Sequence, residues 1–171
     1  MAVKNKIFLF GIDNSGKTSI LNRIQNRPNP GDTSPTLSFN IDEMIIKQTE
    51  FVVWDAPGQV RYREKWDRGM LEAQILCFIV DLADNKRFDE AKEELQKVLD
   101  KPENRGLPLI ICFHKVDLLK AKQNLPTAKG MFDPSLFDER DIYRLETSIM
   151  SPDSMIKLKD MFVEIIQKAR W

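Results

Sequence analysis

The sequence predicts an α/β fold, a six-stranded and mostly parallel sheet with one antiparallel strand and helices on both faces. Strand-like and helix-like segments alternate from one end of the chain to the other. Continuous apolar runs at 74–80 and 109–113 have the character of strands covered on both faces. A strongly amphipathic segment closes the chain, with Leu158, Met161, Phe162, Ile165, Ile166 and Ala169 recurring at three and four behind Pro152-Asp153-Ser154, which can cap a helix.

The elements follow in order. Lys6-Ile7-Phe8-Leu9-Phe10 is a short apolar run that ends at Gly11, the pattern of a buried strand. Residues 17–27 read as a helix with Ile20, Leu21 and Ile24 on one face. Pro28, Pro30, Gly31 and Pro35 make a breaker-rich loop through Thr36. Two strand-like runs, 39–47 and 51–54, joined at Gln48-Thr49-Glu50, form a hairpin that supplies the antiparallel strand. Phe88, Ala91, Leu95, Val98 and Leu99 fall at helical spacing, and 142–146 is the last strand. Residues 120–132 show no strong period and receive no element.

The chain has 171 residues with no linker or repeat, so one domain, 1–171, is expected. Lys plus Arg and Asp plus Glu are 26 each, which removes the electrostatic case for nucleic-acid binding. No apolar run reaches the length of a membrane span, and Met1-Ala2-Val3-Lys4-Asn5-Lys6 lacks a signal-peptide core. Cys77 and Cys112 are too few for a disulfide scaffold or a metal cluster, and both are expected as buried free thiols. A cytoplasmic protein is expected.

Gly11-Ile12-Asp13-Asn14-Ser15-Gly16-Lys17-Thr18 fits G-x-x-x-x-G-K-[ST] and lies between the first strand and the first helix, the context the motif needs. That places the sheet in the P-loop NTPase class. The turn points backbone N–H groups of Asp13, Asn14, Ser15, Gly16, Lys17, Thr18 and Ser19 toward a polyphosphate, aided by the helix N-terminus. Lys17 would reach the β- and γ-phosphates, and Thr18 would ligate Mg²⁺. Asp13, a carboxylate within an anion site, either points outward or tunes the phosphate environment.

Four further loops narrow the chemistry. Trp54-Asp55-Ala56-Pro57-Gly58-Gln59 follows the third strand: Asp55 can hold Mg²⁺ through water, the Gly58 N–H can meet the γ-phosphate, and Gln59 can orient an attacking water. Thr36, at the end of the Pro-rich loop, can give the metal a second hydroxyl. In His114-Lys115-Val116-Asp117, Asp117 can accept from the ring N–H and exocyclic amine of guanine, and the Lys115 stem can pack along the base. Glu146-Thr147-Ser148-Ile149 offers the Ile149 N–H to the guanine carbonyl. His114 either faces the base, where a ring N–H could serve N7, or is a strand-end histidine held by packing.

In these residues the chain resembles the small GTPases, and within them the ADP-ribosylation-factor (Arf) and Arf-like group, over nearly its whole length. The phosphate loop through Ser19 looks Arf-like, Pro35-Thr36-Leu37-Ser38-Phe39-Asn40 resembles switch I, and Val53-Trp54-Asp55 with Gly58-Gln59 resembles switch II. Glu90-Ala91-Lys92-Glu93-Glu94-Leu95 is similar to the Arf third helix. The resemblance implies a switch that binds GTP or GDP with Mg²⁺. In it Thr36 senses the γ-phosphate, Gln59 positions water, Ser148 belongs to the base loop, and the hairpin is a nucleotide-responsive interswitch. It implies exchange-factor, GTPase-activating and effector partners, and a monomer.

The departures are specific. His114 stands where the group has Asn and is similar to the Rag/Gtr GTPases, whose additional C-terminal domain is not expected here. Pro57 replaces a glycine and should stiffen the turn beneath Gln59. Phe39 and Trp54 match two of three effector-contacting aromatics, and Gly69 takes the third place. Ala2 removes the N-myristoylation signal, no amphipathic N-terminal helix precedes the first strand, and no prenylation cysteine follows. The expectation is no self-contained membrane anchor, with any peripheral association made through partners or lost with a trimmed N-terminus.

No arginine stands just before Thr36 to act as a finger in cis, so slow intrinsic hydrolysis is expected, with an activating partner adding ~10³–10⁵-fold. Arg61, Arg63, Lys65 and Arg68, around Tyr62 and Trp66, are either a solvated face or a partner surface. Two other readings stay open: a GTP-locked, non-hydrolysing binding module, supported by Pro57 and Asp13, and a small nucleotide kinase, which would leave the His114-Lys115-Val116-Asp117 loop unexplained.

Overall fold

The computed structural model describes residues 4–137 and 140–170. The expectations resting on Ala2 and on the last residue, Trp171, lie outside that range. Six strands, β1 (Asn5–Phe10), β2 (Asn40–Ile46), β3 (Thr49–Asp55), β4 (Ile75–Asp81), β5 (Leu109–His114) and β6 (Ile142–Thr147), form one sheet in the order β2-β3-β1-β4-β5-β6. Only β2 runs antiparallel, against β3, and the other pairings are parallel. The helices are α1 (Lys17–Ile24), α2 (Trp66–Gly69), α3 (Phe88–Leu99), α4 (Leu119–Met131) and α5 (Pro152–Ala169).

Strand alternation splits the core into two layers. Ile7 and Leu9 of β1, Cys77 and Ile79 of β4, and Ile110 and Cys112 of β5 pack toward α1 and α5. Phe8, Phe10, Phe78, Val80, Ile111 and Phe113 pack toward α2, α3 and α4. The second layer is built on aromatics, with Phe10 stacked on Phe8 at 5.2 Å and on Phe78 at 5.0 Å. Being covered on both sides is why these strands read as unbroken apolar runs. Both cysteines are buried and free, as expected.

Three local expectations need correcting. The hairpin turns at Lys47-Gln48, whose φ angles of 48° and 68° make a two-residue turn with left-handed central residues, so β3 begins at Thr49. α1 stops at Ile24, and Asn26 at φ 56° breaks the helix before Arg27. The stretch 120–132 is the helix α4, which buries only Ala121 and Ala128 and carries Pro126 inside. So thin an apolar stripe leaves no period to read. The loops after β1, β3, β5 and β6 gather at the carboxyl edge of the sheet, where such folds bind ligands.

Candidate functional site

The loop between β1 and α1 is held open by its backbone. Asn14 (φ 61°) and Gly16 (φ 101°) are left-handed, and a Cβ on Gly11 would come within 2.8 Å of the Ile79 carbonyl. α1 begins with no side-chain cap and no acidic residue in its first turn, which leaves its N–H groups free for an anion. Lys17 is buried, and its Nζ bends back to Ile12 O at 2.9 Å and Ser15 Oγ at 3.3 Å. Burial lowers its pKa to about 8, against the pull of Asp55 and Asp13. Residues Asp13, Asn14, Ser15, Gly16, Lys17, Thr18 and Ser19, with Thr36, Gly58 and Gln59, line a cleft of about 180 Å³. A larger hollow of about 820 Å³ lies between the hairpin and α5 and contains none of the expected residues.

Beside Lys17 three oxygens converge. Thr18 Oγ1 donates to Asp55 Oδ2 over 2.6 Å and lies 3.0 Å from Thr36 Oγ1. Asn40 Nδ2 donates to the same Asp55 oxygen at 3.1 Å. Asp55 is fully buried, and its Oδ1 has no hydrogen-bond partner among the described residues. Burial raises its pKa, while the bonds from Thr18 and Asn40 pull it back. Two hydroxyls and a carboxylate form a hard-oxygen set suited to Mg²⁺. Among the described residues there is no group of three or more His, Cys, Asp or Glu that could hold a metal ion.

At the other end, Ser148 Oγ donates to Asp117 Oδ1 at 2.7 Å and accepts from the Met150 N–H at 3.0 Å. Lys115, left-handed at φ 71°, reaches back to Asn14 O at 3.0 Å and to Asp81 Oδ2 at 2.7 Å. The Ile149 carbonyl accepts from Arg23 Nε at 3.0 Å, and its side chain packs on the α5 layer. Of the two readings of His114, the strand-end histidine held by packing is the one that fits the structure. Its ring is buried, Nδ1 meets Thr147 Oγ1 at 2.9 Å, and its other edge lies under Gly16. It ties the phosphate loop to β5 and β6. Burial, then the charge of Lys115, lowers its pKa to about 4.

Asp13 contributes its backbone to the cleft, while its carboxylate is claimed elsewhere. Arg87 donates to Oδ1 at 2.6 Å and Arg63 reaches the same atom at 3.4 Å. Partial burial pushes the Asp13 pKa up, but the Arg87 bond and both guanidinium charges carry it below the ordinary value. Glu90 is pulled down to about 2, chiefly by its bond to Arg87. Arg63 is buried, so Arg61, Arg63, Lys65 and Arg68 are not one basic face. Gln59, at the rim of the cleft, accepts from Arg61 at Oε1 over 3.3–3.4 Å.

The chain matches the ADP-ribosylation factor family over residues 1–166. It belongs to that family. Proteins of the ADP-ribosylation factor family are small GTPases, switches that bind GTP and hydrolyse it to GDP. ADP-ribosylation factor-like protein 6 of Danio rerio is 36% identical over 118 residues, covering 67% of this chain and 63% of that protein. This match thus spans less than two thirds of that relative's length. ADP-ribosylation factor-like protein 8d of Arabidopsis thaliana is 29% identical over 164 residues, 95% of this chain and 92% of that one. The solved structure of the Arl6 (BBS3) small GTPase of Trypanosoma brucei, with bound nucleotide analogue GppNp, has a TM-score of 0.76 at 19% identity and 98% coverage of both chains. It confirms the fold.

The aromatics and the turn before Gln59, where the sequence was expected to differ from the Arf group, are closely packed. Phe39 and Trp54 lie 5.3 Å apart, and a Cβ on Gly69 would come within 2.4 Å of the Phe39 ring. The Phe39 ring therefore occupies the space that a third aromatic side chain would take. Pro57 is buried, and its carbonyl accepts from Trp66 Nε1 at 2.7 Å, which fixes the turn. Sequence reasoning gave no role to Asn40 or Thr147, which it quoted only inside motifs, and missed Asp81; each buttresses a residue it did find. Asn40 and Asp81 sit at strand ends beside those residues, a signal available in the order of the chain. Arg87 and Glu90, seventy-odd positions from Asp13, gave none.

Proposed function

We propose that the chain holds a guanine nucleotide along the carboxyl edge of its sheet and hydrolyses GTP slowly. Residues Asp13, Asn14, Ser15, Gly16, Lys17, Thr18 and Ser19 cradle the phosphates, with Lys17 neutralising the β- and γ-oxygens. Asp117 and the Ile149 N–H read the guanine edge, Lys115 covers the base, and Ser148 holds Asp117. His114 acts from behind, as a buttress of the phosphate loop. We read its loop, His114-Lys115-Val116-Asp117, as being of Rag/Gtr type. The observation that carries the proposal is the convergence of Thr18, Thr36 and Asp55 within 2.6–3.0 Å beside Lys17.

Thr18, Thr36 and, through water, Asp55 would hold Mg²⁺, and the unpartnered Asp55 Oδ1 supports that fit. When bound, the ion supplies positive charge to the β- and γ-phosphate oxygens. Hydrolysis is an in-line displacement: a water oxygen bonds to the γ-phosphorus as the bond to the β–γ bridging oxygen breaks, giving GDP and phosphate. Gln59 leaves Arg61 to orient that water, Thr36 and Gly58 meet the γ-phosphoryl oxygens, and Lys17 offsets the charge that builds up.

The switch segments would engage an exchange factor, a GTPase-activating protein and effectors, with the protein monomeric and cytoplasmic or peripheral to membranes. Among the described residues, no helix is long and apolar enough to cross a membrane. Titration with fluorescent GDP in Mg²⁺ tests the site: saturable binding displaced by GTP and GDP but not by ATP is expected, and equal displacement by ATP would refute the base assignment. A second reading, a GTP-locked module that recruits partners, draws on Pro57 fixed by Trp66 and Gln59 held by Arg61.

A further inference from the structure

We propose that Arg63 is a positioning residue that latches Gly58 against the phosphate loop and thereby sets the preference of the site for a nucleoside triphosphate over the diphosphate. The inference rests on the guanine-nucleotide reading above and assigns to Arg63 a role in that site.

Arg63 lies in the 3₁₀ segment Val60–Lys65, in a run that looks solvent-facing, yet it is only 8% exposed. A guanidinium is buried at a cost unless its donors are met, and here they are met in three directions. Nε donates to Gly58 O at 2.8 Å, and Nη2 donates to Glu90 at 2.9 Å and reaches Asp13 at 3.4 Å. Nη1 lies 3.6 Å from Glu94. One planar side chain thus joins the turn before Gln59 to α3 and to the phosphate loop. A lysine could not span those partners at once.

The far end of this tie is firm. Glu90 and Glu94 are four apart on α3, one turn of one face, and Phe88, Ala91 and Leu95 of that helix are buried in the core. The near end is the functional one. A Cβ on Gly58 would come within 2.7 Å of both the Asp13 N–H nitrogen and Lys17 Nζ. The Gly58 backbone therefore lies beside the groups assigned to the terminal phosphate, with no room for a side chain between them. A diphosphate does not extend to that place. Whatever holds Gly58 there favours the triphosphate and leaves the diphosphate almost untouched, which is the differential contact a nucleotide switch needs.

The test compares the release of fluorescent GDP and of a fluorescent, non-hydrolysable GTP analogue from the full chain in Mg²⁺. Arg63→Gln removes the charged donor and is expected to speed analogue release about tenfold, with GDP release changed by less than about twofold. Arg63→Lys, which keeps the charge but not the span, stays nearer to Arg63→Gln than to the unsubstituted protein. Glu90→Gln with Glu94→Gln, which loosens the α3 end while keeping Arg63, shifts the ratio in the same direction by a smaller factor. If Arg63→Gln fails to fold, that double variant carries the same criterion. Equal acceleration of both nucleotides would make Arg63 merely structural and overturn the proposal, as would an unchanged analogue rate. Unsubstituted protein that retains neither nucleotide would refute the underlying reading, a result separate from either of these.

Discussion

The imidazole of His114 lies so close beneath Gly16 that a methyl group on that glycine would come within 2.5 Å of its Cδ2. With Nδ1 bonded to Thr147 at 2.9 Å, the ring fixes the phosphate loop relative to β5 and β6. The loop proposed to read the base and the loop proposed to hold the phosphates thus share one buried side chain.

Removing that side chain should be costly. His114→Ala leaves a void under Gly16 and strands the Thr147 hydroxyl, so a loss of about 2–4 kcal/mol in urea unfolding is expected. Guanine-nucleotide release should accelerate at least about tenfold. His114→Asn, which keeps a polar group for Thr147, should lose less on both counts.

The same histidine makes stability fall on acidification. The unfolded chain takes up its proton near pH 6.5. The folded chain resists until about pH 4. Protons therefore favour unfolding across that window, by on the order of 2–3 kcal/mol in all. Urea midpoints measured from pH 7 to pH 4.5 should show the decline, and His114→Asn should remove this part of it.

Base selection should rest on Asp117. Inosine triphosphate lacks the exocyclic amine and should bind more weakly than GTP by about tenfold. In Asp117→Ala the two nucleotides should bind equally weakly. A difference that survives the substitution would place the amine on another group.

Chelation should expose the hydroxyl and carboxylate set. EDTA is expected to speed GDP release from the unsubstituted protein at least about tenfold, through loss of the charge between protein and phosphates. Asp55→Asn should release GDP quickly already and respond little to EDTA.

Gly69 makes a prediction about packing alone. A methyl group there would meet Phe39 at 2.4 Å and Phe8 at 2.9 Å. Gly69→Ala should cost about 1–3 kcal/mol of stability in urea unfolding while leaving GDP affinity unchanged.

Much of this site is legible in the sequence because its chemistry depends on backbone turns at fixed spacing. Gly11, Gly16, Lys17 and Thr18 announce themselves together, Asp55 and Asp117 follow from where strands end, and Thr36 from the end of the Pro-rich loop. The fold was equally plain in β1, β4 and β5, whose burial on both faces leaves unbroken apolar runs. α4 was hidden because only Ala121 and Ala128 are buried on it. The Asp13–Arg87 and Arg63–Glu90 pairs were hidden for another reason. They join residues 74 and 27 positions apart, and nothing local distinguishes a buried arginine from its exposed neighbours Arg61 and Lys65. His114 could be found but not oriented, since its direction is set by Gly16 and Thr147 together.

Hydrolysis by this chain is tested most directly by single-turnover phosphate release from protein loaded with GTP and Mg²⁺, beside Gln59→Leu. The account predicts slow release of one phosphate per protein, largely abolished by the substitution. Tight retention of GTP with no release from the unsubstituted protein would contradict it and would leave the GTP-locked module as the better description.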